Sequence, residues 1–110
     1  MSRFTIHELA SIIDARAASG GEASYTRKLL DIGPEYCAKK FGEEAVETVI
    51  AGIGNNRDDL IAESADLVFH LLVLLKSRGV RLEEVEATLA QRTTLSGLQE
   101  KAGRKRDQGF

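Results

Sequence analysis

Leu67-Val68-Phe69-His70-Leu71-Leu72-Val73-Leu74-Leu75 is the most apolar stretch of the chain, and only His70 interrupts it. It shows no alternation of period two, and its flanks, from about Arg57 to Ser77 with Gly79 beyond, read as one long helix. Nine residues are too few to cross a bilayer. A helix that is apolar all round is buried on more than one side. One side can face the chain's own core, and the other is best hidden against a second copy, so a homodimer is expected.

Working outward, the same helical spacing recurs. Thr5-Ile6-His7-Glu8 has the form of a capping box, followed by Ile6, Leu9, Ile12 and Ile13 on one face and ended by Gly20-Gly21. Ser24-Tyr25-Thr26 opens a short second helix with Leu29, Leu30 and Ile32 apolar and Gly33 at its cap position. Pro34 suits the first turn of a third helix, expected to reach about Gly52, with Cys37, Phe41, Ala45, Val49 and Ile53 at helical intervals. Gly54-Asn55-Asn56 breaks it, and Asp58-Asp59 favours the start of the fourth. A fifth is expected from about Leu82 to Leu95, turning Val85, Leu89 and Leu95 inward. Residues 97–110 read as a short helical turn and a loose basic tail. No stretch combines period-two alternation with β-branched residues, so the fold class is all-α, a bundle of four to five helices. Short connections make consecutive long helices antiparallel neighbours.

A chain of 110 residues with 43% hydrophobic and 29% charged side chains suits one globular domain, read here as spanning 1–110. Its net charge of −2, from 15 basic and 17 acidic residues, excludes the strongly electropositive surface of a non-specific nucleic-acid binder. The single cysteine, Cys37, cannot form an internal disulfide, and the N-terminus lacks a basic-then-apolar signal pattern. A cytoplasmic protein that binds neither membrane nor nucleic acid is expected.

Two carboxylate pairs carry the chemistry. Glu44-Ala45-Val46-Glu47 lies on the third helix and Glu63-Ser64-Ala65-Asp66 on the fourth. Residues three apart share a helical face, so antiparallel packing of these helices brings four carboxylates together. Burying such a group requires protonation or a bound cation. A solvated charge face is the competing reading, and pattern alone leaves both open. If a metal binds, the set is all oxygen. Helix-borne di-iron sites use Glu-x-x-His, and no histidine takes the place of Glu47 or Asp66, which favours magnesium, with manganese as a substitute. His70, four residues beyond Asp66, reads as a hydrogen-bonded core histidine. Lys40, four residues before Glu44, reads by spacing as a helical ion pair with it. Arg27 and Lys28 follow a helix start, a good position for binding an anion. No Gly-rich phosphate loop of either common kind occurs.

Glu44-x-x-Glu47 and Glu63-x-x-Asp66 on successive helices resemble the all-α nucleoside triphosphate pyrophosphohydrolase superfamily, which includes MazG-type proteins. Ser24-Tyr25-Thr26, Leu29-Leu30, Gly33, Lys39-Lys40, Gly42-Glu43-Glu44-Ala45, Glu63-x-Ala65-Asp66-Leu67, His70-x-Leu72-Val73-Leu74-Leu75, Arg92 and Ser96-Gly97…Glu100-Lys101 are similar to the phosphoribosyl-ATP pyrophosphohydrolase family within it. The resemblance covers about Ser24 to Arg104 and implies the second step of histidine biosynthesis: phosphoribosyl-ATP and water give phosphoribosyl-AMP and pyrophosphate. Some relatives carry a fused cyclohydrolase, for which 110 residues leave no room, so the monofunctional form is implied. Glu44, Glu47, Glu63 and Asp66 are then the magnesium ligands, with Glu44 or Glu47 able instead to orient or deprotonate the attacking water. Lys40 is the candidate phosphate contact, and Ser24, Tyr25 and Thr26 are further candidates for substrate binding. The alternatives are a MazG-like enzyme that hydrolyses free nucleoside triphosphates in a house-cleaning role, and a non-catalytic helical dimerisation module.

Overall fold

The computed structural model describes residues 3–19 and 24–94. Five helices follow one another, α1 (Ile6–Ala18), α2 (Tyr25–Ile32), α3 (Pro34–Ile53), α4 (Arg57–Ser77) and α5 (Leu82–Thr93), with no strand among the described residues. The chain is all-α, as its periodicity requires. It divides into two compact units, Met1–Val80 and Arg81–Phe110. The first contains α1 to α4 and all of the residues discussed below as a site.

Each helix start has a local cause. Thr5 Oγ1 accepts a hydrogen bond from the Glu8 backbone N–H at 3.1 Å, and Ser24 Oγ accepts from that of Arg27 at 3.2 Å. Asn56 Oδ1 receives the Asp59 N–H at 3.1 Å, so α4 begins with its cap immediately before the acidic pair. α1 stops at Ala18, with Ser19 as its cap, two residues before the Gly20-Gly21 stop read in the sequence. That Gly pair lies outside the described residues. Gly33 closes α2 and opens α3 at once, with φ 122°, a backbone conformation open to glycine. Gly79, at φ 70°, ends α4, where the Val80 N–H reaches back to the Leu75 carbonyl at 2.9 Å.

α3 and α4 form the most extensive helix pair. Thr48 meets Glu63, and Gly52 faces Leu60, so sequence numbers run in opposite directions along the contact and the pair is antiparallel. The core of this unit is built from Ile13, Leu29, Cys37, Leu72 and Val73, with Thr26 and His70 also buried. Every residue from Leu67 to Leu75 is at least half-buried, in line with its all-round apolarity. Ion pairing between Lys76 and Asp14, at 3.2 Å, ties the end of α4 to α1.

The apolar residues at helical spacing are only partly covered. Cys37 is buried and Phe41 and Ala45 half-buried, but Val49 and Ile53 are 60% and 80% exposed. Ile6 and Ile12 of α1 and Ile32 of α2 also lie open. Helical periodicity identifies an apolar face but does not distinguish the chain's own core from a face that a second molecule would cover. In the second unit, α5 has Glu84 Oε2 accepting the Arg81 N–H at 2.9 Å, while Val85 is half-buried and Leu89 exposed. Leu95, expected inward, and the 97–110 tail lie outside the described residues.

Candidate active site

Antiparallel packing of α3 on α4 brings Glu44, Glu63 and Asp66 together, with one carboxylate oxygen of each within 4.8 Å of the others. Glu44 and Glu63 are half-buried and Asp66 is exposed. Glu47 is outside this trio but within reach of it. A hydrogen bond with Glu47, followed by burial and the Glu47 charge, holds the Glu44 carboxyl above the usual carboxylate range. Burial first, and then the charges of Glu47, Asp66 and Asp59, raise Glu63. Neighbouring negative charge contributes to both shifts, after the hydrogen bond in Glu44 and after burial in Glu63.

The helices are fastened at this point by Thr48. Its Oγ1 is 2.8 Å from the Glu44 carbonyl oxygen and 3.1 Å from that of Glu63, so one hydroxyl hydrogen is shared between a carbonyl on its own helix and one on the neighbour. The backbones of two members of the trio are thereby joined. Sequence reasoning missed Thr48. The available signal was a threonine four residues after Glu44, a spacing at which the side chain bonds back to the helix carbonyl.

The basic residues fall differently from their spacing. Lys40 Nζ pairs with Glu43 at 3.1 Å, not with Glu44, and that hydrogen bond raises the ammonium's pKa above its ordinary value. Tyr25 is among the groups that act electrostatically on Lys40. Arg27 does not offer an open anion site. Its guanidinium donates to the Ala17 and Ser19 carbonyls at 3.0 and 2.6 Å and to Asp31 at 3.0 Å, closing the end of α1.

Of the Ser24-Tyr25-Thr26 opening, Tyr25 alone reaches the site region by side chain, and it is 49% exposed. Its hydroxyl is 3.0 Å from His70 Nε2, and its ring stacks on Phe69 with centroids 6.2 Å apart. Burial lifts the phenol above its usual pKa, so it keeps its proton. Ser24 serves as the α2 cap. Thr26 is 0% exposed, three residues before buried Leu29 on the same face, and its hydroxyl has no partner among the described residues.

The donors suit a hard divalent cation. All are carboxylate oxygens, three converge, and two have their pKa raised, Glu44 first by its hydrogen bond with Glu47 and Glu63 first by burial, with neighbouring negative charge adding to both. An all-α protein with a carboxylate cluster on two antiparallel helices is the class that fold and site define. The sequence matches the family model of phosphoribosyl-ATP pyrophosphohydrolase over residues 6–93. It is 74% identical over 107 residues to phosphoribosyl-ATP pyrophosphatase 1 of Rhodopseudomonas palustris, covering 97% of this chain and 100% of that one. The like-named protein of Bradyrhizobium diazoefficiens is 72% identical over 105 residues, covering 96% and 99%. Phosphoribosyl-ATP pyrophosphatase of Azorhizobium caulinodans is 53% identical over 104 residues, covering 94% and 95%. The chain belongs to the phosphoribosyl-ATP pyrophosphohydrolase family.

Proposed function

We propose that the α3–α4 carboxylates hydrolyse phosphoribosyl-ATP to phosphoribosyl-AMP and pyrophosphate with the help of magnesium, for which manganese can substitute. Family membership makes the chain a hydrolase of histidine biosynthesis. The observation that carries the mechanism is the convergence of Glu44, Glu63 and Asp66 beside Glu47. These four residues would hold the ion, which when bound neutralises phosphate charge and lowers the pKa of water.

Glu44, lifted by its hydrogen bond to Glu47 and by burial, is suited to hold the attacking water and take its proton. Glu47 shares that task through the same hydrogen bond. As the water oxygen bonds to phosphorus, the anhydride bond between the α- and β-phosphates opens and pyrophosphate departs. Lys40, on α3, supplies positive charge to the phosphates, and Ser24, Tyr25 and Thr26 at the start of α2 serve the rest of the substrate, Thr26 from its buried position. The whole chain is taken as one functional domain, a reading supported by the family match running from α1 through α5.

Two wider readings accompany this. Val46, Val49, Ile50 and Ile53 recur at helical spacing on α3 and are 59–80% exposed, a stripe suited to a second copy, so the protein works as a homodimer. We also place the protein in the cytoplasm, where an enzyme of this family would act on a soluble nucleotide; no described helix is long and apolar enough to cross a membrane.

The test is incubation with phosphoribosyl-ATP and magnesium, following pyrophosphate. Release from this substrate, and little from a panel of plain nucleoside triphosphates, is expected. Equal turnover of the whole panel would support the house-cleaning alternative, and no turnover with no magnesium-binding heat would support the non-catalytic module.

A further inference from the structure

His70 takes no part in the mechanism above, yet it is 7% exposed and both of its ring nitrogens are engaged. Nδ1 lies 2.8 Å from the Asp66 backbone carbonyl oxygen, one turn earlier on α4. A carbonyl can only accept, so Nδ1 carries the ring hydrogen. In the neutral ring Nε2 is then a lone pair, and the group 3.0 Å from it, the Tyr25 hydroxyl, must donate. The phenol has one hydrogen, and His70 takes it.

The remaining capacity of the Tyr25 oxygen is therefore to accept. Phosphate oxygens also only accept, so a phosphate placed against this phenol would oppose acceptor to acceptor. A ribose hydroxyl or an exocyclic amine can donate to it. Tyr25 is also held in place: its ring stacks on Phe69, and Phe69 meets the His70 ring edge-on at 5.2 Å. The phenol is linked through the His70 ring to the backbone of Asp66, a member of the carboxylate trio, and Lys40 and Glu44 are among the charged groups that act on it.

We propose that His70 is a positioning residue that fixes the Tyr25 hydroxyl as a hydrogen-bond acceptor, so that Tyr25 receives a hydroxyl or amine hydrogen of the substrate while Lys40 takes its phosphates. This rests on the hydrolase reading above and assigns the polarity of one contact within it.

Three measurements test it. Long-range proton–nitrogen NMR of the resting protein, with His70 assigned through the loss of its signals in His70→Gln, should show the ring hydrogen on Nδ1. A hydrogen on Nε2 overturns the proposal. Tyr25→Phe should raise KM for phosphoribosyl-ATP about tenfold, the loss expected for one well-made hydrogen bond, and leave kcat within about twofold. The same variant should leave competitive inhibition by inorganic tripolyphosphate unchanged. An equal loss for tripolyphosphate would mean that the phenol touches phosphate, and overturns the proposal. His70→Phe should reproduce the Tyr25→Phe KM, and His70→Gln, whose carboxamide oxygen can accept from the phenol, should keep KM nearer to wild type. A folded His70→Phe with wild-type KM overturns the proposal, and the NMR and Tyr25→Phe results decide it if that variant does not fold. Wild-type protein that releases no pyrophosphate would instead overturn the hydrolase reading, and with it the ligand assigned to Tyr25, while the position of the ring hydrogen would still be read.

Discussion

Thr48 and Glu63 are bonded across the gap between α3 and α4, with the threonine hydroxyl 3.1 Å from the glutamate's backbone carbonyl oxygen. The same hydroxyl is 2.8 Å from the Glu44 carbonyl, so a single side chain links the two helices where their carboxylates meet. Thr48→Val, close in shape but without the hydroxyl, should destabilise the protein by about 1 kcal/mol. It should also weaken magnesium binding several-fold, while Thr48→Ser retains most of both. Urea denaturation and calorimetric titration measure the two effects. A valine variant with unchanged magnesium affinity would show that packing alone holds the register.

Neutralising the carboxylates separates fold from chemistry. Glu47→Gln and Asp66→Asn alter exposed side chains and should leave the circular dichroism spectrum and Tm near wild type. Turnover should fall by about 100-fold or more, the scale of losing a group that acts in the transition state. Wild-type kcat in either variant would remove that residue from the site.

The raised pKa values of Glu44 and Glu63 predict an inverted pH dependence in metal-free protein. A carboxyl whose folded-state pKa exceeds its unfolded value binds its proton more tightly when folded. Stability therefore falls as pH rises from the ordinary glutamate range through the raised values. Metal-free Glu44→Gln or Glu63→Gln should melt above wild type at neutral pH, with the advantage shrinking in acid. Added magnesium should raise the wild-type Tm at neutral pH and much less in acid, where protons compete for the same oxygens. Thermal melts across pH, with and without the ion, check both signs.

The exposed stripe on α3 makes its own prediction. Ile50→Glu places a charge on a residue that is 65% exposed in one copy. In a monomer this costs almost nothing, whereas at an interface it buries an unpaired charge. Sedimentation at micromolar concentration should show wild-type dimers shifted toward monomer in the variant. A wild type that is already monomeric would refute the homodimer.

Much of this was legible in the sequence, and the exceptions share a cause. α4 begins and ends at the residues that Asp58-Asp59 and Gly79 indicated, because caps and helix dipoles act locally. Glu44, Glu63 and Asp66 were legible as a set because a spacing of three and a short antiparallel connection are enough to make them meet. The burial of Thr26 was not legible, because a residue in the opening turn of a helix faces solvent or core according to tertiary packing, and here it shares the face of Leu29. Lys40 chose Glu43 over Glu44 because both lie within reach on a helix, and rotamers decided between them. The Tyr25–His70 bond spans 45 residues of sequence, a pairing no local pattern encodes. Val49 and Ile53 were correctly apolar, but which molecule covers them is not written in periodicity.

Gly33 leaves the bend between α2 and α3 no slack. It is the last cap of one helix and the first of the next, with α2 ending at Ile32 and α3 beginning at Pro34. Tyr25 stands on one arm of this bend and Lys40 on the other, so the distance between them is gauged by one residue's torsion angles, like a carpenter's bevel locked at a single setting. A chain that grew by one residue at this joint would keep every side chain of the site and still lose the measure between them.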